Sequence, residues 1–81
     1  MIASLQGKIE AIGADAVVVN VNGIGFQVAV PTSTLSSFGK VGNSVKLFTH
    51  LHVREDILAL YGFSSVDELQ LFVVLTGVSG I

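Results

Sequence analysis

The stretch SVKLFTHLHVREDILALYGF, residues 44–63, decides the fold. From Ser44 to Arg54 its side chains alternate, with Val45, Leu47, Thr49, Leu51 and Val53 on one face and Lys46, Phe48, His50, His52 and Arg54 on the other. A period of two is that of a β-strand covered on one side, so the first set is expected in a core. The run from Ile57 to Phe63 is apolar on both faces and is expected to be covered from two sides. Glu55-Asp56, lying between the two runs, reads as a hairpin tip.

Toward the N-terminus the same pattern repeats. Val17, Val19 and Val21 share a face within Asp15 to Asn22, as do Ile24, Phe26, Val28 and Val30 in the next run. Asn22-Gly23 between them tolerates the positive φ of a tight reversal, and Gly25 is expected to add a bulge that bends the sheet. Ile2 to Ile12 supplies a further strand, and Pro31 stops the third. Thr32 to Phe38 can then form a short helix before Gly39 and Gly42. Five short strands and one inserted helix predict a small closed barrel, because closure removes exposed strand edges. Its expected core includes Leu5, Val19, Val28, Leu47 and Leu51.

A helix is predicted to follow, opened by the capping box Ser65-Val66-Asp67-Glu68. One stripe of it holds Leu69, Phe72, Val73 and Thr76, and a second holds Leu71, Val74, Leu75 and Val78. Such a helix needs cover on both sides, which leads to the expectation that more chain follows Ile81.

Composition limits what these elements can do. With 81 residues and no cysteine, packing alone must hold a single small core. Charged residues make up 12% of the chain, against about a quarter in ordinary soluble domains, so subunit or interdomain contacts are expected. The longest apolar runs, Ile57 to Tyr61 and Leu71 to Leu75, fall far short of the ~20 residues of a membrane span. The start lacks a basic segment leading into an apolar one, so no secretory signal is expected. Four cations (Lys8, Lys40, Lys46, Arg54) against six acids give a net charge of −2, the wrong sign for sequence-independent attraction to DNA.

Enzyme motifs find little support. Gly23-x-Gly25 precedes a strand where a dinucleotide loop would precede a helix, and no phosphate-binding Gly-Lys-Ser/Thr loop or Gly-x-Ser-x-Gly elbow occurs. His50 and His52 share a strand face but form a pair rather than a metal-binding constellation, so surface or interface histidines are the plainer reading. Glu55 and Asp56 could do acid–base work only if burial separated them, and a hairpin tip is wet. Taken from the residues alone, the pair reads as a polar turn. Gly77-Val78-Ser79-Gly80 reads either as a glycine helix cap or as a hairpin whose N–H groups, with a following helix, grip a DNA phosphate.

Several of these segments together resemble the RuvA family, over essentially the whole chain. They are Met1 to Gly7, Asn22 to Val28, Phe48 to Asp56, Leu60-Tyr61-Gly62-Phe63 and Gly77 to Gly80. Thr49-His50-x-x-Val53-Arg54-Glu55-Asp56 with the nearby Leu-Tyr-Gly-Phe is the most specific signature, and Ala3, where a glycine is often expected, is a minor departure. The resemblance implies a mainly β fold, an OB-fold barrel over residues 1–63, with residues 64–81 opening an incomplete helix-hairpin-helix domain. It implies a cytoplasmic bacterial, non-catalytic, cofactor-free and metal-free subunit that binds four-way junction DNA as a homotetramer, or as an octamer. A RuvB-type ATPase, docking on a C-terminal domain beyond this chain, would drive branch migration. Glu55 and Asp56 match that family's acidic pin at the junction centre, and Gly77, Val78, Ser79 and Gly80 its first phosphate-contacting hairpin. Two other classes compete: a single-strand-binding barrel, disfavoured by few cations and by aromatics assigned mostly to the core, and a pure assembly module.

Overall fold

The computed structural model describes residues 2–77. Strands β1 (Ser4–Ile12), β2 (Ala16–Val21) and β3 (Ile24–Ala29) lead to helix α1 (Thr32–Ser37). Strands β4 (Ser44–Val53) and β5 (Leu58–Phe63) follow, then helix α2 (Val66–Thr76). The strands form one closed barrel in the order β1-β2-β3-β5-β4. All neighbours are antiparallel except β3 and β5. Five strands in this order, with a helix between the third and fourth, form the OB arrangement, so the alternation in the sequence reads the fold class correctly.

Local chemistry explains the turns. Asn22 (φ 53°) and Gly23 (φ 90°) both adopt the left-handed region, the two-residue reversal that matches strand twist, and Val21 faces Ile24 across it. Gly23 N–H donates to Asn20 Oδ1 at 2.9 Å, securing the turn from its flank. The bulge expected at Gly25 is absent, since β2 and β3 stay in register from Ala16↔Ala29 to Val21↔Ile24. The irregularity lies instead in β1, between Ile9 and Ala11, where Glu10 is the extra residue and accepts a 2.7 Å hydrogen bond from Asn20 Nδ2. A lone glycine permits a bulge without requiring one.

The core consists of Leu5, Ile9, Val17, Val19, Val28, Val30, Phe38 and Leu47. Val19, Val28 and Leu47 are fully buried. On β5, Gly62 is the inward residue opposite Thr49, and a Cβ there would meet Val28 Cγ1 at 2.6 Å, so glycine lets β5 approach the core closely. Helix α1 buries Thr34 and packs Leu35 against the core, and Phe38, which follows it, is buried in that core. Thr49, the one polar residue on the inner face of β4, is buried because its Oγ1 donates to Ile2 O at 2.7 Å.

Four of the five expected core residues are buried; Leu51 is only half-buried. The cover expected over both faces of residues 57–63 is also incomplete, with Ile57 and Leu58 exposed. Alternation assigns a face to each residue but does not say where along β4 and β5 the barrel ends.

Two substitutions test this core by denaturant unfolding. Leu47→Ala is expected to cost ~2–5 kcal/mol, the range for opening a cavity where a buried leucine stood. Thr34→Val is expected to raise stability by about 1 kcal/mol, because Thr34 Oγ1 is buried without a hydrogen-bond partner and a methyl group removes its desolvation cost.

Candidate functional site

Strand β4 outruns the barrel. Its register with β1 spans Ser44 to Phe48, and Thr49 N–H still reaches Ala3 O at 2.9 Å. β3 meets β5 only at Ala29↔Tyr61. From His50 outward β4 has β5 as its only strand partner among the described residues, so the two continue as a free hairpin. Its inward side chains therefore lose their covering layer. Val53 is 62% exposed and Leu58 73%.

At the end of the hairpin, Arg54 N–H donates to Ile57 O at 2.8 Å and closes a four-residue turn. Glu55 and Asp56 occupy that turn and are both exposed, as a hairpin tip requires. The tip thus presents two adjacent carboxylates well away from the barrel core.

The outer face of the same hairpin carries rings. His50 pairs with Tyr61 across β4 and β5, with His52 two residues further along and Phe48 opposite Phe63. Helix α2 lies over this face and drives Phe72 between the strands' aromatics, with centroids 5.0 Å from Phe63, 5.1 Å from Tyr61 and 6.4 Å from His50. Its start is well capped, as Ser65 Oγ accepts from Glu68 N–H at 3.2 Å and Ser64 Oγ donates to the Glu68 carboxylate. Asp67 and Glu68 sit at the positive end of the helix dipole.

Of the two stripes read from the sequence, Leu69, Phe72 and Val73 are half-buried against the barrel, while Thr76 is exposed. Leu71, Val74 and Leu75 are exposed, so only one side of α2 has cover among the described residues. Gly77 caps the helix in the left-handed conformation (φ 69°), its N–H reaching Val73 O at 3.1 Å. Val78, Ser79 and Gly80 lie outside the described residues.

The expectation that aromatics sit mostly in the core holds for half of them: Phe38 and Phe63 are buried and Phe26 packs against the core, but Phe48, Tyr61 and Phe72 are half-buried on the outer side, with Phe72 beside Phe63. A tilt of 35° and 6.5 Å separate the His50 and His52 rings, and no group of three potential metal ligands gathers among the described residues. A recess of about 290 Å³ lies beside these rings, lined by His52, Arg54, Tyr61, Phe72 and Thr76. The strand period already placed His52 and Arg54 on one face. Only the docking of α2 adds Phe72 and Thr76 to them.

A closed barrel in this strand order, with a capped helix across β4 and β5, defines an oligonucleotide-binding-type β-barrel domain. The chain belongs to the RuvA N terminal domain family, whose profile matches residues 1–62. It is 53% identical over all 81 residues to the Holliday junction branch migration complex subunit RuvA of Herpetosiphon aurantiacus, covering 41% of that protein. The proteins of the same name from Dehalococcoides mccartyi and Acetivibrio thermocellus are 51% and 41% identical over the whole chain, which covers 42% and 40% of their lengths. The chain thus spans about two fifths of these relatives.

Phe72→Ala tests the docking of α2. Losing two close ring contacts is expected to destabilise the protein by at least about 1–3 kcal/mol, at ~0.5–1.5 kcal/mol for each aromatic pair beyond the area it buries. The far-ultraviolet helical signal should fall at temperatures where the barrel is still folded.

Proposed function

We propose that this chain is the N-terminal part of a non-catalytic subunit that binds four-way junction DNA and holds it open for branch migration. The observation that carries the reading is the exposed Glu55-Asp56 pair at the end of a hairpin that leaves the barrel. The names of the relatives, branch migration complex subunits, support the same role. In this reading the barrel, residues 1–63, gathers the subunits. Residues 64–81 open a helix-hairpin-helix domain in which Gly77, Val78, Ser79 and Gly80 begin a phosphate-gripping hairpin.

The uncovered apolar side chains Val53, Ile57 and Leu58 on the hairpin, with Leu71, Val74 and Leu75 on α2, favour self-association, since patches of this kind are rarely left in water. A homotetramer suits a ligand with four equivalent arms and brings four acidic tips to one centre. Carboxylates there repel phosphates and keep exchanging strands apart, a use of negative charge that a linear duplex binder could not make. Affinity then comes from backbone N–H contacts elsewhere, and motion from a RuvB-type ATPase that docks on a C-terminal domain. The protein acts in the bacterial cytoplasm, and no helix among the described residues is long and apolar enough to cross a membrane.

Glu55→Gln combined with Asp56→Asn in the full-length protein should shift stability by no more than ~0.5 kcal/mol, as exposed substitutions usually do. DNA affinity should hold or rise, and the preference for junction over duplex should narrow. Paired titrations of the two DNAs at fixed salt measure this, and an unchanged ratio rejects the assignment of these carboxylates. Light scattering of the full-length protein is expected to give a fourfold assembly; a strict monomer at high micromolar concentration rejects the symmetry argument.

A further inference from the structure

The recess on the outer hairpin face combines features that neither the barrel core nor the acidic tip explains. Three rings border it: His52 and Tyr61 stand nearly edge to face, with centroids 6.4 Å apart, and Phe72 lies 5.1 Å from Tyr61. Arg54, exposed at its rim, has no ion pair among the described residues, although Glu55 and Asp56 follow it directly. It is one of only four cations in the chain. The recess, about 290 Å³, is at the small end of the range for ligand pockets.

We propose that this recess takes one unpaired nucleotide of a DNA strand, its base against the His52, Tyr61 and Phe72 rings and its phosphate on the Arg54 guanidinium. A base inside a duplex already has both faces stacked, whereas an unpaired base has a face to offer an aromatic wall. A planar guanidinium presents two parallel donors to phosphate oxygens, which suits Arg54 to the backbone of the same nucleotide. The next two residues reject phosphate. Attraction at Arg54 and repulsion at Glu55 and Asp56 together fix on which side of the tip the strand runs. The inference rests on the proposed function in one respect, that DNA reaches the tip, and it adds the chemistry by which a strand is held once there.

The test uses the full-length protein and two probes: a four-way junction carrying 2-aminopurine next to the crossover, and a single-stranded oligothymidine tetranucleotide. His52→Ala and Arg54→Gln are each expected to weaken junction binding about fivefold or more, the lower end of what one base stack contributes. His52→Phe, which keeps a ring face, should restore binding to near wild type. The 2-aminopurine emission should be quenched on binding to wild type and His52→Phe but brighter on binding to His52→Ala, with thermal unfolding alike in all four proteins. Intact junction binding that none of the variants alters overturns the subsite and leaves the proposed function standing. Failure of His52→Phe to rescue overturns the stacking contact. If the wild type ignores junctions yet binds the tetranucleotide in a His52-dependent way, the subsite stands and the junction reading falls; binding of neither probe overturns both.

Discussion

Leu47 faces Leu5 across the seam where β1 meets β4, and this pairing turns a curled sheet into a barrel. Without it β1 and β4 would each present an unpaired edge, and the inner faces of β2 and β3 would lose the layer that excludes water from Val19 and Val28. The seam lasts five residue pairs, from Ser4↔Phe48 to Lys8↔Ser44. β4 is ten residues long. The surplus has to go somewhere, and antiparallel pairing with β5 lets it leave the barrel as a hairpin with its backbone hydrogen bonds still made.

That surplus carries the candidate functional surface. One side of the hairpin exposes apolar side chains suited to another protein surface, the other holds rings beneath α2, and the tip holds two carboxylates. A closed barrel gives such a hairpin a rigid base, so groups at its tip and along its sides keep fixed spacings. Two of the six acids, Glu55 and Asp56, stand together at this tip, and the other four lie elsewhere on the chain. In the proposed reading, repulsion at one projecting point shapes a ligand, whereas like charge spread over a surface would merely weaken binding.

The neighbourhood of α2 illustrates how packing assigns meaning to residues that look ambiguous in isolation. Phe63 and Phe72 are far enough apart in the chain, and apolar enough, to have belonged to any core. Their rings meet at 5.0 Å outside the barrel because Ser65 fixes where the helix starts and Gly77 where it turns, which sets the stripe that lands on β4 and β5.

Local periodicity was enough to predict the five strands, both helices, the Asn22-Gly23 reversal, the Ser65 cap and the acidic tip. Each of these is decided by short-range sterics and hydrogen bonding that a few neighbouring residues specify. The motifs around Phe48 to Asp56 and Leu60 to Phe63 carried the family resemblance on the same local scale. Four features were not legible: the end of the barrel short of Leu51, the bulge at Glu10 in place of Gly25, the outward placement of Phe48, Tyr61 and Phe72, and the recess joining His52 and Arg54 to Phe72. All of these depend on which strand ends first and where a helix comes to rest. A sequence pattern with a period of two tells a strand which side is inward, but the extent of cover is set by the lengths of its neighbours, and those meet it only in the closed tertiary structure.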